Sequence, residues 1–329
     1  MKSKAPLPHA RKRVIYLFPD RGSKMDSEWE SGVFWPQYAK AAEAVGMDFG
    51  VIDPEHIIFE DDCVRWKDEQ LLPERDIIVY DIRSGPTHAV DLWQNMTAVS
   101  SLEAAGFWLA IPLSAAVVFN DKYATAKALV GSPLPLIPSL RLTAGRDIHR
   151  LGYQGLVPDD WFPLFVKPAS WGRGLGCVLC PDRPTLDAVL GLASGSGAAM
   201  LVQPSVGEVV ADTRVVAVEG EVVAAYDRVP DQGAHVANVS RGGSTVGRTR
   251  VDAAVLDLLS LVQERFDLPY VCVDLLRTAD GRMWFSEIEL DGAVSALFEE
   301  PATVERVVGA RFRAYGRRHD AHLRRREGL

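Results

Sequence analysis

The sequence contains few cysteines and no long apolar run. Cysteine occurs only four times in 329 residues, which is too sparse for a disulfide scaffold and suits a reducing compartment. Cys177 and Cys180 have the spacing of a zinc or redox pair, but no second Cys or His pair lies nearby in the sequence. No window approaches the roughly 20 apolar residues of a membrane span, and the first residues lack the apolar core of a signal peptide. We therefore expect a cytoplasmic protein without a membrane-spanning segment.

A generally basic character is also absent. The formal net charge is −8, which argues against general binding to nucleic acid or to anionic membranes. The only basic stretch, residues 311–326, is typical of the C-terminal end of an amphipathic helix. Hydrophobic content of 47% and charged content of 24% indicate an ordinary globular protein of two or three modest domains. A homodimer is the default oligomeric state.

Apolar strands alternate with a helix near the start of the chain. We predict strands at residues 13–18, 48–52 and 76–82, with a helix at 34–45. Such alternation is typical of a parallel sheet whose ligands bind near the carboxyl ends of the strands. Arginine suits a carboxylate group, and aspartate suits an amino group. The polar residues that follow these strands are therefore candidate substrate contacts: Asp20, Arg21, Asp81, Arg83 and Ser84.

Two lysines lie where a phosphate group would satisfy them. Lys122 stands at the start of a predicted helix, after Asn120 as a plausible N-cap, and a helix N-terminus favours an anion. Lys167 falls inside the apolar strand 163–168, where an unpaired ammonium group is costly to bury. The alternatives are an exposed surface lysine for Lys122 and, for Lys167, a side chain that extends to solvent.

A glycine-rich loop follows Lys167. Gly172, Gly174 and Gly176 lie between two predicted strands, and glycine lets backbone N–H groups approach an anion closely enough to cradle a phosphate. The loop is not a dinucleotide fingerprint, because a strand rather than a helix follows it, and it lacks the Gly-Lys-Ser/Thr of a P-loop. A glycine-rich hairpin connection is the alternative.

Three arginines lie in or beside apolar segments of the second half of the chain. Arg214 and Arg228 belong to a predicted hairpin at residues 212–228, and Arg241 precedes two glycines. The planar guanidinium group suits carboxylates and phosphates, and a Gly-Gly loop would let Arg241 close over a ligand. A surface ion pair is the alternative for each of them.

The last predicted hairpin, residues 270–290, is unusually acidic on one face. Its two apolar runs flank Asp280-Gly281, a strong signal for a two-residue turn. Such a turn would place Asp274 opposite Glu287, with Glu289 on the same face, and facing Cβ atoms would be roughly 5 Å apart. Carboxylates crowded in this way need a compensating cation, and Mg²⁺ prefers carboxylate oxygens. A solvated hairpin face is the alternative.

The order of these motifs resembles that of the ATP-grasp superfamily, most closely the branch of glutathione synthetase and the ribosomal-protein glutamate ligases. The likeness covers roughly residues 120–295. It implies a mixed α/β (α+β) fold with an N-terminal parallel-sheet pre-grasp domain (1–115), a small ATP-grasp subdomain with the glycine-rich lid loop (116–207), and a C-terminal subdomain with the metal-binding hairpin and the substrate-side loops (208–329).

The resemblance also implies a role for each matching residue. Catalytic roles fall to Lys167, Arg214 and Arg241, and nucleotide binding falls to Lys122, Lys167, Ser170, Gly172, Gly174, Gly176, Val202, Gln203 and Glu208. Within that set, Val202 and Gln203 would lie in the adenine-binding linker, and Glu208 would contact the ribose. The metal ligands would be Asp274, Glu287 and Glu289. The substrate would contact Arg21, Asp81, Arg83, Arg214, Arg228, Asn238, Arg241 and Gly242.

The activity implied by the resemblance is ATP-dependent ligation of a small-molecule carboxylate to an amine through an acylphosphate, with ATP and two Mg²⁺ ions, or Mn²⁺, as cofactors. The reaction would form an amide or peptide bond on an amino acid or small peptide and release ADP and phosphate, and specialised metabolism is the expected setting. A carrier thiol or an intramolecular acceptor, or a nucleotide-binding protein without turnover, remains an alternative. The sequence departs from the family pattern at three places: Glu289 replaces the usual Asn, Trp171 stands where small residues are usual, and Ser240 replaces His before Arg241.

Overall fold

The chain divides into two compact units in the computed structural model. The structure describes residues 11–18, 32, 34–80, 82, 91–143, 152–172, 174–229, 244–247, 250–292, 294 and 300–328. The first unit comprises Met1–Arg83, Thr87–Leu113 and Ala293–Leu329, and the second comprises Ser84–Pro86 and Ser114–Gly292. One unit contains a parallel sheet and the other contains antiparallel sheets, so the predicted mixed α/β class is confirmed.

A parallel sheet forms the core of the first unit. Strands β1 (Arg13–Leu17), β2 (Asp48–Ile52), β6 (Asp76–Tyr80) and β7 (Trp108–Leu109) lie in the order β2-β1-β6-β7. The three predicted strands are thus present, and helix α1 (Trp35–Ala44) connects the first two. β1 and β6 are almost fully buried, as expected for the near-continuous apolar strands of a parallel sheet. A small antiparallel sheet, β3 (Ile57–Phe59), β4 (Val64–Trp66) and β5 (Glu69–Leu71), precedes β6.

Two further helices belong to the first unit, α2 (Leu92–Ala104) and the C-terminal α7 (Pro301–Glu327). The apolar side of α7 packs on α1, and Phe312 stacks on Phe49. The predicted amphipathic C-terminal helix is therefore present, and its basic last turn matches the preference of cations for helix C-termini. None of the described helices is long and apolar enough to cross a membrane. Because α7 clusters with the first unit, the segment 208–329 does not coincide with one unit, and the three-segment division stays a prediction.

The second unit begins with two short helices and a small antiparallel sheet. The helices are α3 (Leu113–Phe119) and α4 (Lys122–Ala128). The strands are β8 (Leu140–Leu142), β9 (Leu164–Pro168), β10 (Val178–Cys180) and β11 (Met200–Pro204), and they lie in the order β10-β9-β11-β8. Helix α5 (Arg183–Ala193) lies between β10 and β11 in the chain. The N-cap of α4 is Asp121, not Asn120 as predicted. The Asp121 carboxylate accepts hydrogen bonds from the backbone N–H groups of Tyr123 and Ala124, both at 3.0 Å, so the helix starts one residue later.

A five-stranded antiparallel sheet completes the second unit. Its strands are β12 (Val209–Val218), β13 (Glu221–Val229), β14 (Ser244–Gly247), β15 (Tyr270–Thr278) and β16 (Met283–Glu289), in the order β14-β13-β12-β15-β16, and helix α6 (Ala253–Phe266) lies between β14 and β15 in the chain. The central strand β12 is buried from residue 211 to residue 218. This sheet carries the candidate arginines and carboxylates of the site on β12, β13, β15 and β16, while Lys122 lies on α4 and Lys167 on β9.

The acidic hairpin has the predicted pairing but not the predicted turn. β15 ends at Thr278 and β16 begins at Met283, so the connection is longer than two residues. Near this connection Leu275 pairs with Phe285, and a β-bulge beyond it restores the pairing of Asp274 with Glu287. The bulge leaves one extra residue on β16, and this compensates for the longer connection at the position where the carboxylates lie.

Candidate active site

Three carboxylates of the β15–β16 hairpin meet on one face. Asp274 is buried, Glu287 and Glu289 are half-buried, and one oxygen atom of each lies within 4.8 Å of the other two. Cross-strand pairing explains this arrangement, because Glu287 faces Asp274 and Glu289 lies two residues further along the same strand. Hard oxygen donors at this spacing fit Mg²⁺. The donor set therefore suits the metal that the resemblance implies, and the assignment of these residues as its ligands stays a prediction.

Two buried arginines already contact the cluster. Arg214, on β12, faces Asp274 and donates to both of its carboxylate oxygens, from Nε at 2.8 Å and from Nη2 at 2.7 Å. The same Nη2 lies 2.8 Å from Glu289 Oε2. Arg228, on β13, joins Asp212 and Asp274, with Nη2 2.8 Å from one and 2.7 Å from the other. The sequence predicts a bound metal as the compensating cation, whereas the structure supplies two guanidinium groups in contact with these carboxylates.

These arginines separate the pKa values of the acidic groups. Burial alone would raise the pKa of Asp274, but Arg214 and Arg228 outweigh burial and hold it at about 2. Burial raises the pKa of Glu289 to about 7, with Asp274 and Glu287 adding to the rise and Arg214 opposing it. Burial and the Asp274 charge raise the pKa of Asp212 to about 6 against the effect of Arg228. Among Asp274, Glu289 and Asp212, Asp274 is therefore the carboxylate whose negative charge is held most firmly.

Lys122 links this cluster to the small sheet. Its ammonium Nζ lies 3.2 Å from Glu287 Oε2 and donates to the backbone oxygen of Trp171 at 2.8 Å. The start of α4 is fixed, because the Lys122 N–H donates to the Ala169 oxygen at 3.0 Å. The Lys122 side chain is only 14% exposed, so the alternative of an exposed surface lysine is wrong.

Lys167 brings a second ammonium group close to Lys122 and Glu287. It lies in β9 and is half-buried, and its pKa is lowered by burial and by the positive charge of Lys122. Two neighbouring ammonium groups repel each other unless an anion lies between or beside them. This arrangement suits a phosphate group.

The glycine-rich loop connects β9 and β10 and is anchored by its tryptophan. Trp171 packs against the hydrophobic core of the small sheet, and this explains how a large side chain is accommodated among the glycines. Gly176 has a φ of +68°, and a Cβ there would lie 2.8 Å from Pro168 Cγ, so this position requires glycine. Gly172 and Gly174 are open to solvent or partly so.

The remaining predicted site residues fall into two groups. Val202 is buried in β11, Gln203 donates to Ser139 Oγ at 2.8 Å, and Glu208 is exposed just before β12; their predicted nucleotide contacts stay predictions. Most of the predicted substrate contacts lie outside the described residues: Asp20, Arg21, Asp81, Arg83, Ser84, Asn238, Arg241 and Gly242. Arg214 and Arg228 are the described members of that set, and both are held by carboxylates.

Comparison with known proteins bears on the second unit in particular. Residues 152–296 match the model of the RimK-like ATP-grasp domain. The chain is 31% identical over 176 residues to the ribosomal protein bS6–L-glutamate ligase of Salmonella paratyphi B, an alignment that covers 46% of this chain and 58% of that relative. The chain thus spans less than two thirds of the length of the curated relatives that it matches.

Solved structures support the same fold across almost the whole chain. D-cycloserine synthetase has 18% identity and a TM-score of 0.64, covering 92% of this chain and 99% of the other. D-alanyl-alanine synthetase A from Vibrio cholerae has 16% identity and a TM-score of 0.65, covering 93% and 98%. Identity at this level shows the fold alone. Together with the match of the family model to residues 152–296, these likenesses confirm the predicted resemblance to the ATP-grasp superfamily.

Proposed function

We propose that this protein is an ATP-dependent carboxylate–amine ligase that forms an amide or peptide bond and releases ADP and phosphate. The observation that carries the proposal is the 3.2 Å contact between Lys122 Nζ and Glu287 Oε2. It places a lysine suited to phosphate beside a carboxylate suited to metal, which is the arrangement that a metal–nucleotide complex requires. The substrate class proposed is an amino acid or small peptide, in line with the L-glutamate named for the matched relative.

The nucleotide would be held between the small sheet and the acidic hairpin. Lys122 and Lys167 neutralise phosphate charge, and the loop 169–177 covers the phosphates and excludes water from the reacting groups. Asp274, Glu287 and Glu289 would hold Mg²⁺, and two ions are proposed. When bound, the metal neutralises charge that develops on the phosphate oxygens.

The proposed reaction has two steps. A substrate carboxylate oxygen attacks the γ-phosphorus, the bond to the bridging oxygen breaks, and ADP leaves with an acylphosphate formed. The amine nitrogen then attacks the acyl carbon, phosphate departs, and the amine loses a proton to water. Phosphoryl transfer needs positioning and charge neutralisation rather than a protein nucleophile, and the lysines, Arg214 and Arg241 are the residues proposed for that task.

Release of ADP on addition of paired carboxylates and amines tests the proposal. ADP and phosphate are expected in equal amounts only when both substrates, ATP and Mg²⁺ are present. Glu287→Gln should reduce this rate by at least about 100-fold, whereas the exposed Glu264→Gln on α6 should not change it. Tight binding of the metal–nucleotide complex without ADP release for any substrate pair would contradict ligase activity and favour a nucleotide-binding protein. Product analysis distinguishes an amine acceptor from a thiol or an intramolecular one.

A further inference from the structure

Each carboxylate of the acidic cluster has a cation of the same unit in direct contact. Arg214 and Arg228 contact Asp274, Arg214 also contacts Glu289, and Lys122 contacts Glu287. Oxygen atoms that would ligate a metal are therefore engaged with ammonium or guanidinium groups. A free divalent cation therefore competes with these groups for the carboxylate oxygens.

The two kinds of internal cation differ in how firmly they are held. The Arg214 side chain is 6% exposed and makes a two-point contact with Asp274, so its release would leave a buried charge unpaired. Lys122 makes one contact with Glu287 and one with the oxygen of Trp171. Lys122 is therefore the cation that can leave at the lower cost.

Lys122 also connects the carboxylate cluster with the glycine-rich loop. The Trp171 oxygen belongs to that loop, while Glu287 belongs to β16, and one ammonium group joins them. A phosphate group that takes the Lys122 ammonium would free Glu287 and the Trp171 oxygen in the same event. Because coupling between two ligands is reciprocal, a metal that takes Glu287 would in turn free Lys122 for the phosphate.

We propose that Lys122 is an internal counter-ion that closes the carboxylate cluster to a free divalent cation, and that the nucleotide opens the cluster by binding the Lys122 ammonium. This inference rests on the proposed function, since it takes the nucleotide phosphates as the competing anion. It goes beyond that function because it assigns Lys122 a role in the ligand-free protein. The metal then enters with the nucleotide rather than before it.

Binding of Mn²⁺ to the full chain, followed by the electron paramagnetic resonance signal of free Mn²⁺, tests the inference without turnover. In the absence of nucleotide, Lys122→Met should bind Mn²⁺ at least tenfold more tightly than the wild type. Lys122→Arg keeps the charge and should bind it as weakly as the wild type. Lys122→Gln keeps a donor for the Trp171 oxygen without the charge and should tighten binding as Lys122→Met does, which guards against a folding defect in one variant.

Two further lysine variants distinguish the direct contact of Lys122 with Glu287 from a general effect of positive charge on Mn²⁺ binding. Lys127→Met removes the last-turn lysine of the same helix and should leave Mn²⁺ binding within twofold of the wild type. Lys167→Met removes a charge that acts on Glu287 from a distance and should tighten Mn²⁺ binding by less than threefold. An equal increase in Mn²⁺ affinity for Lys167→Met and Lys122→Met would overturn the inference. It would show that any nearby positive charge weakens Mn²⁺ binding, without a specific role for the Lys122–Glu287 contact.

A non-hydrolysable ATP analogue should reverse the effect of Lys122→Met. With the analogue present, protein-bound Mn²⁺ is separated from the Mn²⁺–analogue complex by ultrafiltration, because the analogue itself binds Mn²⁺. This variant should then bind Mn²⁺ at least tenfold more weakly than the wild type, since the phosphate contact is lost. If Lys122→Met binds Mn²⁺ alone no more tightly than the wild type, while the wild type still binds Mn²⁺ with the analogue, the inference fails and the proposed function stands. If the wild type binds no Mn²⁺ with the analogue, the proposed function itself fails.

Discussion

Each unit contains a buried aspartate held by two arginines, and the two places differ in what surrounds that aspartate. In the first unit Asp76 accepts from Arg13 Nε and Arg75 Nε, both at 2.8 Å, and from the Leu72 N–H at 2.8 Å. In the second unit Asp274 accepts from Arg214 and Arg228. Both aspartates also face an arginine on the neighbouring strand, Arg13 and Arg214.

The difference lies in how many further carboxylates there are and how they are arranged. At Asp76, Glu69 contacts the same two arginines, so two carboxylates face two guanidinium groups. Among the described residues, Asp274 belongs to a group of three carboxylates that could hold a metal ion, whereas Asp76 does not. The side chains of Glu287 and Glu289 are 26% and 36% exposed, so a ligand can reach them. The balanced group at Asp76 therefore indicates stability, and the three crowded carboxylates at Asp274 indicate a binding site.

The largest expected effect is on ligand binding in the second unit. Asp274→Asn removes the carboxylate that Arg214 and Arg228 hold ionised, and we expect binding of the metal–nucleotide complex to weaken by about 100-fold or more. Titration calorimetry with Mg²⁺ and a non-hydrolysable ATP analogue measures this change. Unchanged affinity in a variant with a native circular dichroism spectrum would contradict the role of the cluster.

The matching substitution in the first unit should affect stability without affecting ligand binding. Asp76→Asn leaves Arg13 and Arg75 without their buried partner, and we expect the free energy of unfolding to fall by about 3 kcal/mol. Urea denaturation measures the loss. Binding of the nucleotide analogue to the folded protein should remain that of the wild type, and a loss of binding would remove the distinction between the two aspartates.

A smaller effect is expected in the glycine-rich loop. Gly176→Ala forces a Cβ against Pro168 at a positive φ, and we expect a loss of about 1–2 kcal/mol in the free energy of unfolding. Gly191→Ala is the control, since a Cβ there meets open space within helix α5 and should raise stability by up to about 1 kcal/mol. Equal changes in the free energy of unfolding for the two substitutions, measured by urea denaturation, would show that the positive φ and the nearby Pro168 do not constrain position 176.

The smallest expected effect is a pH dependence of the first unit. His319 is fully buried, and its Nε2 lies 2.8 Å from the Pro73 oxygen. Burial lowers the pKa of His319 below its usual value, so the unfolded chain binds the proton more readily than the folded chain does. The contribution of His319 to the free energy of unfolding is therefore complete above the unfolded pKa of about 6.5, and it declines as the pH falls through that value. Urea denaturation at pH 7.5 and 5.5 should show a larger decline for the wild type than for His319→Gln, and equal declines would exclude this contribution.

Local pairing made part of the site predictable from the sequence. Asp274 and Glu287 are close along the chain, so a hairpin brings them together, and even the wrong turn did not prevent the correct pairing because a bulge restored it. The predicted strands of the first unit follow in the same way from their apolar composition. The N-cap of α4 could not be predicted in this way. Asn120 and Asp121 have the same capping chemistry, and only the backbone of the folded helix decides which of them is the cap.

Contacts between distant segments were not predictable in this way. Arg214 meets Asp274 because β12 pairs with β15, 60 residues further along the chain, and no local pattern determines that pairing. The sequence indicated only that Arg214 and Arg228 suit anions, and it assigned them to a substrate. Their contacts with Asp212, Asp274 and Glu289 depend on the order of strands in the completed sheet.

Transfer of oxygen from substrate to phosphate tests the central claim most directly. Once an active substrate pair is known, the reaction is run with the carboxylate labelled with ¹⁸O, and the released phosphate is analysed by mass spectrometry. A carboxylate that attacks the γ-phosphorus leaves one of its oxygens on the phosphate, so we predict one ¹⁸O atom in each phosphate released. Phosphate without ¹⁸O, or formation of AMP in place of ADP, would contradict the proposed reaction.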